Sequence, residues 1–291
     1  MTAAARPRRS VLYMPGSNAR ALDKGRTLAA DGLILDLEDS VAPDMKQTAR
    51  DGIAAALSAG GYGEREIVVR SNGLDTEWAK ADLEAIARMS NCHAALVPKV
   101  ESAAMVKQAL AIMDGAGAPK SMALWCMMET PLGILNAKEI AFADPRVGCL
   151  VLGTSDLAKD LNCRHTPDRL PFILSLEMCI LAARAAKIAV LDGVHLDLED
   201  DAGFRAACEQ GRDLGMDGKT LIHPKTIATA NEVFAPSEKE IAWSRRIIDA
   251  HGEAVKAGKG VVLVDGKLIE NLHVAEAKRL VALAEAIQAR G

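Results

Sequence analysis

Glu129 follows directly on the apolar run MALWCMM (122–128), and Asp156 closes the run CLVLGTSD (149–156). If these runs are neighbouring strands, they lie about 4.8 Å apart, and their terminal carboxylates can share one cation. Two carboxylates, with waters and substrate oxygens completing the shell, suit Mg²⁺, which keeps several waters and takes few protein ligands. Left unpaired, two carboxylates so close would repel and raise a pKa; a divalent cation removes that conflict. No cluster of His or Cys competes for zinc. Arg70, which ends IVVR (67–70), carries a fork that matches a substrate carboxylate or a developing oxyanion. An ion pair with the acids of LILDLED (33–39) is an equally good use of it, and the two uses are compatible.

Such side chains need elements to carry them. Eight short apolar runs alternate with helical patterns: VLYMP (11–15), LILDLED (33–39), IVVR (67–70), ALVPKV (95–100), MALWCMM (122–128), CLVLGTSD (149–156), AVLDGV (189–194) and KTLIHP (219–224). Continuous apolar runs of this length, bounded by Gly and Pro, read as strands buried on both faces. Between them, 76–90 has Thr76 as an N-cap with Trp78, Leu83, Ile86 and Ala87 on one face. Residues 167–186 open on Pro167 and carry Leu170, Ile173, Leu174, Leu176, Ile180 and Leu181, while 199–214 end near Gly215. Eight βα units predict a (β/α)₈ barrel over 1–234, and no GxGxxG follows the first run as a dinucleotide fold would require. Chemistry in such barrels collects at the C-terminal ends of the strands. The candidates there are Asp36, Glu38, Asp39, Arg70, Lys99, Glu101, Glu129, Asp156, Asp192 and His223. After the eighth run come a long amphipathic helix (235–258), a hairpin turning at Asp265–Gly266 and a final helix (275–289). This 235–291 tail exceeds what a barrel needs, and its Gly- and Lys-rich stretch 252–260 reads as a hinge.

Composition narrows the class. The chain has 291 residues, 49% hydrophobic, enough to bury a sizeable core, and α/β barrels of this size form one domain. A net charge of -4 and 3% aromatics leave neither a basic stripe nor a stacking platform for nucleic acid. No segment approaches the roughly 18 apolar residues of a membrane span, and no signal-peptide core is present. Six cysteines without paired spacing, most of them inside apolar runs, suit a reducing cytoplasm.

RSVLYMPGS (9–17), LDLEDSVAPDMK (35–46), VRSNGLDT (69–76), PKVE (98–101), METPLGI (128–134), GTSDLA (153–158), GKTLIHP (218–224) and VDGKLIENLHV (264–274) together resemble the citrate lyase β-subunit-like (CitE-like) branch of the HpcH/HpaI aldolases. That branch includes malyl-CoA and citramalyl-CoA lyases and malyl-CoA thioesterase. The resemblance covers nearly the whole chain, in the family's order. It implies a (β/α)₈ barrel in a homotrimer or hexamer, with the C-terminal arm covering a neighbour's active site. It implies Mg²⁺, or Mn²⁺ in its stead, on Glu129 and Asp156, and substrate on Arg70. Tyr13, Arg20 and Lys24 would hold coenzyme A, with Ser155, Ile222, His223 and Pro224 in the same cleft, and Asp36, Glu38 and Asp39 orienting metal waters and Arg70. Glu270 would be the acid/base delivered from the neighbour.

Glu270 departs from the pattern, since many lyases of the branch carry Asp there. One methylene moves the carboxylate, and about 1 Å of displacement can cost on the order of 10²-fold in rate. The resemblance implies, first, a lyase that cleaves a malyl-CoA-like ester to acetyl-CoA and a 2-oxo acid such as glyoxylate, with Glu270 moving the proton of the thioester enolate. The ENLH ending (270–273) is similar to that of the malyl-CoA thioesterases, so hydrolysis to malate and CoA is the alternative. A third reading is the β subunit of a citrate lyase complex, acting on a carrier-bound thioester. No GxSxG elbow or Ser–His–Asp pattern is present, in keeping with chemistry that needs no covalent nucleophile.

Overall fold

The computed structural model describes residues 6–258 and 260–290. Eight parallel strands close into a barrel in sequence order: β1 (Ser10–Pro15), β2 (Gly32–Asp36), β3 (Glu66–Arg70), β4 (Ala94–Val97), β5 (Ala123–Met128), β6 (Val147–Leu152), β7 (Ala189–Asp192) and β8 (Gly218–Leu221). β8 returns to β1, pairing Ser10 with Lys219 and Leu12 with Leu221. Helices separate all successive strands, so the (β/α)₈ fold predicted from the alternation is the one observed.

The apolar runs became strands, but several of their polar ends did not. β2 stops at Asp36, whose carboxylate accepts the Glu38 N–H (2.9 Å), the Ser40 N–H (3.1 Å) and the Ser40 hydroxyl (2.6 Å). Local bonds of this kind turn the chain out of the sheet. CLVLGTSD stops being strand at Leu152, and Asp156 lies in the first turn of the helix Thr154–Leu161. KTLIHP stops at Leu221; His223 then caps the short turn Pro224–Thr226, its Nδ1 accepting the Lys225 N–H at 3.1 Å.

The pleat decides what reaches the mouth. Alternate side chains point inward: Val11, Ile34, Val68, Leu96, Trp125 and Val151 fill the interior. Their neighbours, such as Leu12, Leu33, Val69, Leu124 and Leu150, pack beneath the helices. Two residues further along the inward face lie Tyr13, Asp36 and Arg70, and past the strand ends Glu129 and Gly153. By the same count Asp192 falls on the outer side of β7.

Helix boundaries shifted where caps were misread. The helix expected over 76–90 runs Ala79–Arg88, and the Thr76 hydroxyl donates to the Gly73 carbonyl instead of capping it. The 167–186 segment splits into a short turn, Leu170–Phe172, and the helix Ile173–Ala186. Leu176 and Ile180 are buried there, but Leu170, Leu174 and Leu181 are each about 70% exposed. The helix Asp201–Leu214 does end at Gly215, in the left-handed conformation. Cys126, Cys149, Cys179 and Cys208 are buried free thiols.

The described residues divide into two compact units, Arg8–Phe234 and a smaller one made of those after residue 234 together with 6–7. In the smaller unit the helix Glu238–Lys256 starts on a capping box between Ser237 and Glu240. It therefore runs well into the stretch expected to be a hinge; Lys259 lies outside the described residues. β9 (Val262–Val264) and β10 (Lys267–Ile269) form the hairpin, turning at Asp265 and Gly266, both with positive φ. The last helix, Asn271–Gln288, packs Val274 and Ala277 on Ile247, Val264 and Ile269. Among the described residues no helix is long and apolar enough to cross a membrane.

Candidate active site

A cavity of about 400 Å³ opens at the C-terminal mouth of the barrel. Tyr13, Asp36, Asp39, Arg70, Glu129, Ser155, Asp156 and Ile222 line it, so eight of the residues singled out in the sequence converge there. Arg20 and Lys24 do not line it; both are exposed on the helix Ala19–Gly25 that follows β1. Neither do His223 and Pro224, and Glu270 belongs to the smaller unit. There Glu270 is exposed at the N-cap of the last helix, its N–H donating to His273 Nδ1 at 3.0 Å.

Arg70 is spoken for on every nitrogen. Its Nε and Nη2 donate to the two oxygens of Asp36 at 2.6 and 2.8 Å. Its Nη1 lies 2.7 Å from Glu38 Oε2 and 3.4 Å from Asp39 Oδ2. The Glu38 contact has ion-pair distance without the direction of a hydrogen bond, and that oxygen is buried. The Tyr13 ring lies 5.0 Å from the guanidinium, a cation–π distance. Burial alone would raise the Asp36 pKa, but the Arg70 bonds outweigh it and hold the carboxyl below its usual range. The bidentate edge of Arg70 is thus spent on Asp36, and its Nη1 lies against Glu38 and Asp39 at the cavity wall.

Glu129 is the opposite case. It is 1% exposed, and among the described residues the hydrogen bond it receives is the Lys99 N–H on Oε1, at 2.9 Å. Burial, then the charges of Glu38 and Asp156, push its pKa up to about 8. Glu38 rises to about 7, by burial first and by Asp39 and Asp36, against the pull of Arg70. A Cβ at Gly153 would collide with Glu129 Oε2, so only glycine leaves that carboxylate its place.

Five carboxylates (Asp36, Glu38, Asp39, Glu129, Asp156) therefore meet the guanidinium of Arg70 and the ammonium of Lys99, whose fields the same charges feel. That excess of negative charge around a desolvated Glu129 fits a divalent cation. Among the described residues no group of three or more His, Cys, Asp and Glu converges as a metal cage, so a site here would rest on few protein ligands. Mg²⁺ accepts that.

One strand-end candidate belongs elsewhere. Asp192 is fully buried, 2.8 Å from Lys219 Nζ and 2.7 Å from Arg169 Nη1, an ion cluster outside the barrel wall. The cavity's apolar lining, Met127, Leu152, Val194 and the methyl-bearing Thr220, was missed because apolar residues at strand ends look like core. Counting by twos along each strand would have found Met127 and Thr220.

Three comparisons place this geometry. The HpcH/HpaI aldolase/citrate lyase family matches over residues 9–224. A (3S)-malyl-CoA thioesterase of Cereibacter sphaeroides (strain KD131 / KCTC 12085) is 51% identical over 285 residues, 98% of this chain and 97% of that protein. The citrate lyase subunit beta of Escherichia coli (strain K12) is 36% identical, over 96% of this chain and 94% of that one. Among solved structures, CitE from Mycobacterium tuberculosis in complex with magnesium, acetoacetate and coenzyme A superposes with a TM-score of 0.76 at 29% identity, covering 97% of this chain and 99% of that one.

Proposed function

The chain belongs to the HpcH/HpaI aldolase/citrate lyase family, and from that premise we propose that it is a (3S)-malyl-CoA thioesterase. It is an enzyme of CoA thioesters. The observation that carries hydrolysis over carbon–carbon cleavage is the 51% identity, along almost the full length of both chains, to a protein with that activity. This reverses the order reached from sequence, where the lyase stood first.

Glu129 and Asp156 would hold Mg²⁺, for which Mn²⁺ can substitute. Bound there, the ion would polarise substrate oxygens and offset the negative charge that builds on the carbonyl during attack. Arg70, its guanidinium plane fixed by Asp36, would meet the substrate's free carboxylate through Nη1, which sits beside Glu38 and Asp39. Tyr13, whose pKa burial pushes up, stays a neutral hydroxyl and a hydrogen-bond donor. Arg20 and Lys24, exposed one helix away on the C-terminal side of β1, would meet the phosphates of coenzyme A. Ile222 sits at the cavity wall, with Ser155 on the side of Asp156. Glu270, supplied by the arm of a neighbouring copy, takes a proton from water. The water oxygen bonds to the thioester carbon, the C–S bond breaks, and the sulfur leaves with its electron pair and collects the proton. Malate and CoA result. Delivery in trans requires a homo-oligomer, a trimer or hexamer.

Cleavage to acetyl-CoA and glyoxylate is the second reading, favoured by the 36% likeness to a citrate lyase subunit. Turnover of (3S)-malyl-CoA in H₂¹⁸O separates the two. Hydrolysis places one ¹⁸O in the new malate carboxylate; unlabelled acetyl-CoA with glyoxylate, and no labelled malate, would overturn the thioesterase.

A further inference from the structure

Lys99 stands in the left-handed region, φ 51°, where a residue with a side chain pays a conformational cost. Among the described non-glycine residues with positive φ, Asn162 and Lys187 end helices, Asp265 turns a hairpin, Asn91 lies in a turn and Arg169 opens the turn Leu170–Phe172. Lys99 does none of these. It lies just beyond β4, and its conformation delivers two successive N–H groups to the end of β5: its own to Glu129 Oε1 at 2.9 Å, and that of Val100 to the Met127 carbonyl at 3.3 Å. From the other side, Gly153 abuts Oε2 and Cβ of the same glutamate. One carboxylate is thus gripped at one oxygen by a strained backbone and given room at the other by a missing side chain.

We infer that Lys99 and Gly153 are positioning residues for Glu129, and that Lys99 acts through its backbone conformation and not through its ammonium. This rests on the reading that Glu129 holds the metal. Partners that orient a metal ligand typically matter about 10- to 100-fold in affinity.

The test is Mn²⁺ binding to the full-length protein, followed by loss of the free-ion electron paramagnetic resonance signal, on variants shown to be folded by circular dichroism. Lys99→Gly keeps the N–H and takes positive φ at no cost; it should bind within about threefold of wild type. Lys99→Val, β-branched and ill suited to positive φ, and Gly153→Ala should each weaken binding by about tenfold or more. Should Lys99→Val not fold, Lys99→Ala reads the same effect at a smaller steric load. If Lys99→Gly binds as weakly as Lys99→Val, the ammonium is what matters and the inference falls. It falls equally if Lys99→Val and Gly153→Ala match wild type while Glu129→Gln does not. Wild-type binding by Glu129→Gln would instead remove Glu129 as a ligand, a separate failure.

Discussion

Glu129 is a buried acid with a pKa near 8, raised by burial and by the charges of Glu38 and Asp156. Below that value the proton occupies the place a cation needs, so metal affinity should fall with pH. Between pH 8.5 and 6.5 Mg²⁺ binding, measured by calorimetry, should weaken by about tenfold or more; a flat profile would mean that Glu129 is not titrating against the metal. Tyr13→Phe keeps the ring over Arg70 and removes the hydroxyl, so kcat/KM should drop by about tenfold with the melting temperature unchanged. Much of this was legible in the sequence, because each acid sits where an apolar run breaks. The grip of Asp36 on Arg70 was legible only as one of two options, since spacing cannot say which partner a guanidinium faces.

At the scale of elements, Asp192 shows what spacing alone leaves open. It ends a strand as Arg70 does, but lies one residue off the inward face and pairs outside the barrel with Lys219 and Arg169. Asp192→Ala would strand two buried cations, and should cost about 3–5 kcal/mol in urea unfolding while leaving metal affinity of the folded protein intact. Burial would raise the Asp192 pKa, but the two cations outweigh it and hold it below 3.8. The unfolded chain therefore binds that proton first as pH drops, and the stability Asp192 contributes is complete above the ordinary carboxylate value and lost as pH falls through its lower folded one. In Asp192→Asn that part of the acid-induced loss should be absent. Strand existence was read correctly at all eight positions because buried parallel strands are continuously apolar. Their ends were overrun because GTSD opens a helix directly from Gly153, while the ends at Asp36 and His223 turn through side-chain bonds that hydrophobicity does not register.

On the whole molecule, the short helices Pro131–Leu135 and Ala137–Ala141 pack against Ile173–Ala186, and Leu135, Phe142, Leu174 and Leu181 remain 58–71% exposed around them. Exposed apolar clusters are a common mark of interaction surfaces, and the proposed delivery of Glu270 in trans would need a homo-oligomer to cover this one. Leu174→Glu with Leu181→Glu should yield smaller particles in analytical ultracentrifugation and a matching loss of kcat. A sharper check mixes two inactive proteins. On the proposed roles, Glu129→Gln would lack the metal carboxylate and Glu270→Ala the proton acceptor, so co-assembled subunits should recover activity at sites pairing an intact barrel with an intact arm. Failure of the mixture to recover, with both proteins assembled, would place Glu270 outside the neighbour's reaction.

One assay decides between hydrolysis and carbon–carbon cleavage: (3S)-malyl-CoA with Mg²⁺, following free CoA thiol and trapped glyoxylate in the same cuvette, with EDTA as the control. A metal-dependent thioesterase releases thiol without glyoxylate and falls silent in EDTA. Glyoxylate appearing in step with acetyl-CoA, and no free thiol, would contradict it and return the chain to carbon–carbon cleavage.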